Sequence, residues 1–235
     1  MKKTIGIIGG MGPLATCDLM LKIIKNTDAK CDQEHVHLLI DNNTAIPDRT
    51  EAIIRGGASP LEELISSANR LAAAGADALV MACHSAHYLL PDLEQAVSIP
   101  FISLIDTTTK RLQEENNKTV ALFATEGLSK AGIYQAEFEK AGINVLVPDD
   151  NEQKLITEVI YEVIKAGNPL PQPERFQALL DSYRDRGAER IVLGCTELPV
   201  AADKYKFAAK FIDPTYELAL EIIRFGGAKL LADSE

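Results

Sequence analysis

The chain has 235 residues, of which 46% are apolar and 25% charged, and a formal net charge of −10. That is enough apolar side chain for one large core or two half-size ones, and the negative charge argues against nucleic acid or an anionic membrane as the partner. No apolar run approaches the roughly 18 residues of a membrane span. Met1–Thr4 also runs straight into a strand-like segment without the apolar stretch and cleavage site of a signal peptide, so a cytoplasmic protein is expected.

In chain order, Thr4–Gly9 reads as a buried strand, Leu14–Asn26 as a helix and His35–Ile40 as a second strand. Pro47–Thr50 reads as a Pro-rich loop, Pro60–Ala74 as a helix closed by Gly75, and Ala78–Met81 as the third strand. Ser85–Val97 follows as a helix and Phe101–Leu104 as a short strand. In the second half, Thr119–Ala124 reads as a strand, Lys130–Ala141 as a helix closed by Gly142, and Ile143–Val147 as a strand. Lys154–Lys165 and Pro173–Arg186 have helical spacing. Arg190–Leu193 and Phe211–Ile212 read as strands, and Pro214–Leu231 as the last helix. Strands joined by helices of about ten or more residues mean parallel sheets covered on both faces. The fold class is therefore α/β.

The chain repeats itself. Gly75–Cys83 and Gly187–Cys195 share one pattern, 112 residues apart: a helix end, an acidic turn, an apolar strand, a small residue and a cysteine. Ile5–Gly12 resembles Val120–Gly127 at an offset of 115, and Ile105–Thr107 resembles Ile212–Pro214 at 107. Two pseudo-symmetric α/β domains with mainly parallel sheets are expected, residues 1–106 and 107–213, with the helix 214–235 packing back on the first. The active site is expected in the cleft between them.

The four cysteines, Cys17, Cys31, Cys83 and Cys195, include no closely spaced pair, so no zinc ribbon or redox motif is present. Cys17 and Cys31 read as structural thiols, buried as lone cysteines usually are. Cys83 and Cys195 each follow a strand, where parallel sheets bind ligands, and each precedes residues that can start a helix. The N–H groups there favour a thiolate and should lower the thiol pKa. Two such groups suit proton transfer at an α-carbon: a thiolate removes a proton from one face and a thiol returns one to the other. The N–H groups after each cysteine can stabilise the carbanionic intermediate.

Several segments together resemble the aspartate/glutamate racemase family, in its aspartate racemase branch: Ile8–Thr16, Pro47–Thr50, Met81–His87, Ala124–Thr125 and Leu193–Pro199. The resemblance spans essentially the whole chain. It implies two α/β domains, a cleft site, a homodimer, a small amino-acid substrate, and neither pyridoxal phosphate nor metal. It also implies that Cys83 and Cys195 are the paired acid and base, and that Arg49 and Lys165 hold the side-chain carboxylate of the substrate. The expected substrate-binding set is Met11, Arg49, His84, Ser85, Thr125, Lys165, Thr196 and Glu197. Two positions depart from the pattern: His84 stands where relatives usually have Asn, and Leu128 where many have Thr. An imidazolium at His84 would lower the Cys83 pKa.

His84 and His87 lack the further ligands a metal would need. His35 and His37, on one face of a strand, read as packing or surface residues. The loop Gly9–Gly12 lacks a dinucleotide or phosphate fingerprint and reads as a close backbone approach to substrate. The expected function is cofactor-independent racemisation of aspartate, with glutamate as a second substrate. The alternatives are a related carbanion enzyme (a decarboxylase or a dicarboxylate cis–trans isomerase) and a non-catalytic carboxylate-binding protein.

Overall fold

The structure, a computed structural model, describes residues 2–232. Its strands are β1 (Thr4–Gly9), β2 (His37–Asn42), β3 (Ala78–Met81), β4 (Thr119–Ala124), β5 (Asn144–Leu146), β6 (Arg190–Gly194) and β7 (Phe211–Ile212). Its helices are α1 (Pro13–Lys25), α2 (Arg49–Arg55), α3 (Leu61–Ala73), α4 (Leu90–Ala96), α5 (Leu104–Glu114) and α6 (Glu126–Ala131). The rest are α7 (Ile133–Lys140), α8 (Asp150–Glu158), α9 (Pro173–Asp185), α10 (Glu197–Tyr205) and α11 (Pro214–Phe225). All strand pairs are parallel, in the orders β2-β1-β3 and β5-β4-β6-β7. Residues up to Thr107 together with those from Thr215 onward form one compact unit, and Thr108–Pro214 form the other. Among the described residues no helix is long and apolar enough to cross a membrane.

The repeat is visible in individual hydrogen bonds. α3 ends at Gly75 (φ 98°), and the N–H of Ala76 returns to the Leu71 carbonyl; α9 ends at Gly187 (φ 94°), and that of Ala188 returns to Tyr183. Only glycine adopts such backbone without strain. The next residue is acidic in both. Asp77 accepts from the N–H of Thr4, which starts β1, and Glu189 from that of Thr119, which starts β4. One sequence device thus ends a helix and ties down the first strand of the sheet, twice.

The third landmark sits elsewhere than its sequence alignment placed it. Ile105 lies in α5, whereas Ile212 ends β7. The equivalent pairs are Leu79 N–H to Pro100 carbonyl and Ile191 N–H to Lys210 carbonyl, so Phe101 matches Phe211. The expected strand Phe101–Leu104 shrinks to a single bridge from Phe101 to Leu79, because Leu104 begins α5.

Other departures have local causes. Gly132, at φ 67°, breaks the expected helix Lys130–Ala141 into α6 and α7. Asp149 starts α8 early through a capping box with Glu152, and Val159–Lys165 continues α8 as a π-helix. Ser85–Leu89 is a 3-10 turn before α4. The Pro-rich loop winds into α2, with the Asp48 carboxylate accepting from Glu51 N–H. His35 precedes β2, so it does not share a strand face with His37.

The first core packs α3 and α4 on the sheet through Leu64, Ala68, Leu71 and Leu93, with Cys83 at its margin. In the second, Phe123 of β4 meets Tyr183 and Phe176 edge-on, at centroid distances of 5.0 and 6.0 Å, a favoured aromatic geometry.

Candidate active site

In the first unit the site begins with the turn that leaves β1. Gly10 has φ 88°, and a Cβ there would fall 2.3 Å from the carbonyl carbon of Asn43. Its N–H donates to the Thr16 hydroxyl at 3.0 Å, and that hydroxyl donates to the Gly12 carbonyl at 3.3 Å. Glycine therefore lets the chain turn tightly against a neighbouring backbone before α1 starts. Met11, next in line, is buried. Its carbonyl accepts from Arg49 Nη2 at 3.2 Å, and Arg49 Nη1 donates to the carbonyls of Pro47 (2.8 Å) and Ile46 (3.3 Å). The guanidinium is thus held by backbone oxygens, while its buried Nε makes no hydrogen bond among the described groups.

Cys83 lies two residues past β3 and is buried. Its carbonyl accepts from His87 Nδ1 at 2.9 Å, and the other ring nitrogen accepts from Leu104 N–H at 3.2 Å. This pairing sets one neutral tautomer. Burial pushes the His87 pKa down to about 4. His87 is a clamp between the cysteine turn and the start of α5. His84 is also buried, and desolvation, then the neighbouring His87 and Lys22, push its pKa down to about 3. Burial penalises the charged ring and so opposes an imidazolium beside Cys83 at neutral pH. Ser85 is buried at the start of the 3-10 turn.

In the second unit β4 and β6 run side by side, Ala124 against Gly194. A Cβ on Gly194 would come within 2.9 Å of the Ala124 Cβ. Each strand opens directly into a site residue. Thr125 follows β4 and caps α6, accepting the N–H of Leu128 at 3.3 Å. Cys195 follows β6 and is buried. Its thiol donates to Glu197 Oε2 at 2.9 Å, and the Thr196 hydroxyl donates to the same oxygen at 3.0 Å. The other oxygen, Oε1, faces Lys165 Nζ at 3.7 Å. Lys165 ends the π-helical segment and lies 4.7 Å above the Tyr161 ring. Burial, and then Glu197, push the Cys195 thiol well up, with Lys165 opposing. This reverses the expected lowering. A carboxylate two residues on outweighs the N–H groups of the helix start, and stabilises the thiol by accepting its proton in a hydrogen bond.

The profile of the Asp/Glu/hydantoin racemase family matches residues 8–222, a span that contains every one of these side chains. The chain belongs to that family. Its structure is similar to that of an aspartate racemase from Picrophilus torridus, with a TM-score of 0.86 and 30% identity over 99% of this chain and 97% of that one. An aspartate racemase homologue from Pyrococcus horikoshii OT3 gives 0.81 and 28%, over 97% and 100% of the two chains. In sequence it is 26% identical to a broad-specificity amino-acid racemase of Bacillus subtilis, over 92% of this chain and 94% of that protein.

This amino-acid racemase gathers its flagged residues in two groups. Cys195, Thr196, Glu197 and Lys165 form one connected set in the second unit, with Thr125 at the end of the adjoining strand. Met11 and Arg49 are directly bonded in the first unit, where Met11 and Cys83 share one core. Cys17 and Cys31 are exposed, contrary to the expectation of buried thiols. Cys17 lies on the outward side of α1, and Cys31 in the polar loop before β2. Two further side chains carry no sequence signal of their own. Tyr161 lies under Lys165, and the Tyr88 phenol is pushed up by burial, a push that the nearby Arg49 charge opposes. Among the described residues no group of three His, Cys, Asp or Glu is arranged to hold a metal ion.

Proposed function

We propose that this racemase interconverts the enantiomers of aspartate, with glutamate as a second substrate, through Cys83 and Cys195 and without pyridoxal phosphate. The observation that carries the reading is the Cys195 thiol held at 2.9 Å by Glu197. An acid that must return a proton to a carbanion has to keep that proton at neutral pH, and burial beside a carboxylate does so. In one direction the Cys83 thiolate takes the α-proton. Electron density moves onto the α-carboxylate, and Cys195 delivers its proton to the opposite face of the α-carbon. The cysteines exchange roles for the other enantiomer. N–H groups at Ser85 and Thr196, the neutral His84 ring and the Thr125 hydroxyl are the donors assigned to the α-carboxylate. Arg49 and Lys165 are assigned to the side-chain carboxylate, which fits the aspartate racemases among the relatives. We further propose a homodimer working in the reducing cytoplasm, a setting consistent with four free thiols.

The test is α-proton exchange in deuterium oxide, followed by NMR together with optical rotation, on L-aspartate, L-glutamate and a neutral amino acid. Exchange with inversion on the acidic substrates, lost in Cys83→Ser and in Cys195→Ser, supports the reading. Equal rates on the neutral amino acid overturn the substrate assignment. Activity retained by either serine variant overturns the two-cysteine mechanism. Lys165→Ala should lower kcat/KM for aspartate by about 10- to 100-fold, the value of one hydrogen-bonded charge contact, with little change for a neutral substrate.

A further inference from the structure

The 3-10 turn Ser85–Leu89, which follows Cys83 and His84, also carries Tyr88. Three residues make one turn of a 3-10 helix, so side chains at i and i+3 stand over one another. His87 therefore stands over His84, and Tyr88 over Ser85. Ser85 belongs to the substrate-binding set proposed above. Tyr88 lies one turn on, about 6 Å along the axis.

Tyr88 is held by its ring, which packs half-buried against the core that includes Met11, Ile46 and Cys83. The turn also touches α2, the helix that starts with Arg49. The hydroxyl is placed differently from the ring. Among the described residues it makes no hydrogen bond, and it is not one of the buried polar atoms that lack a partner. It stays open to whatever enters beside the turn. A tyrosine with an apolar body and a polar tip normally finds a partner for that tip. Phenylalanine would fill the same ring site without one.

The surroundings select an anion. The Arg49 charge acts on the phenol. The Arg49 guanidinium is fixed by the carbonyls of Met11, Pro47 and Ile46, which leave its Nε without a hydrogen bond among the described groups. A fixed cation with a donor to spare, beside a phenol with a hydroxyl to spare, suits a carboxylate. Burial pushes the phenol pKa up while Arg49 opposes, so at neutral pH the hydroxyl keeps its proton and donates.

We propose that Tyr88 is a substrate-binding residue whose hydroxyl donates to the side-chain carboxylate held by Arg49. The proposal rests on the acidic-substrate reading above and adds a neutral donor to its two cations. The bond is remote from the α-carbon and its proton. It contributes equally to ground state and transition state, so its loss raises KM while kcat holds.

Tyr88→Phe keeps the ring and removes only the hydroxyl. The tests are racemisation of L-aspartate and titration calorimetry with succinate, which has the two carboxylates of aspartate and no amine. The variant should raise KM for aspartate by about 10-fold or more, the value of a hydrogen bond to a charged group. The dissociation constant of succinate should rise by a similar factor, while kcat stays within about twofold and the midpoint of thermal unfolding is unchanged. Unchanged KM and succinate affinity overturn the proposal. A loss confined to kcat, or one that comes with a lowered unfolding midpoint, overturns it as well. Wild-type protein that binds succinate without racemising aspartate overturns the function proposed above, and the succinate titration alone then decides Tyr88. Wild-type protein that does neither overturns both.

Discussion

At the scale of single residues, burial and then Glu197 hold the proton on Cys195. Desolvation and the adjacent carboxylate both favour the protonated thiol, so Glu197→Gln should move the Cys195 titration down. The thiolate ultraviolet absorbance, read against pH in a background lacking the other three thiols, measures this whether or not the variant is active. An unchanged titration would mean that burial alone holds the proton. The two buried histidines give a second prediction. Their folded pKa values, about 3 for His84 and about 4 for His87, lie below the ordinary value near 6.5. Below that value the unfolded chain takes up protons that the folded chain refuses. Their contribution to stability is therefore complete above about pH 6.5 and falls as the pH drops toward the folded values, by up to about 1.4 kcal/mol per pH unit for each ring. Urea unfolding between pH 7 and 5 should show a steeper loss for the wild type than for His84→Asn, by about one such increment. Both cysteines and the two cations were legible as residues. Which histidine clamps, and that the Cys195 thiol is pushed up, were not, because both depend on burial by side chains far along the chain.

At the scale of elements, turns did more than periodicity to set the site. The Gly9–Gly12 loop works because Gly10 has left-handed backbone and no room for a side chain. Gly10→Ala should cost about 3 kcal/mol or more through strain and overpacking together, seen as a lowered midpoint of thermal unfolding. The sequence reading missed α5 and α10 and missed or misplaced two helices whose starts depend on a cap. α2 begins at Asp48 inside a Pro-rich stretch, and α8 begins at Asp149 in a run of polar residues with no apolar period. Long amphipathic helices such as α3 and α9 were read to within a residue or two of their ends, since period and glycine stop agree there.

At the scale of the whole molecule, the chain leaves the first unit at Thr107 and comes back to it at Thr215. The returning helix α11 buries Leu218, Ala219, Leu220, Ile222 and Ile223. At roughly 1.5–3 kcal/mol for each large side chain, their loss rivals the whole stability of a domain. Truncation after Pro214 should therefore leave the first unit unfolded, checked by circular dichroism and by proteolysis of residues before Thr107. The sequence by itself determined the α/β class, the internal repeat, the racemase family and the equivalence of Cys83 and Cys195. Those follow from hydrophobic period, glycine stops and residue identity, all of which are local. Only the tertiary structure decided that His84 is neutral, that His87 is a clamp, and that burial and Glu197 keep Cys195 a thiol. The state of His84, the bond from Leu104 to His87 and the burial of Cys195 are set by contacts between segments distant in the chain, whereas Glu197 lies two residues from Cys195 and only the fold shows its side chain turned back onto the thiol.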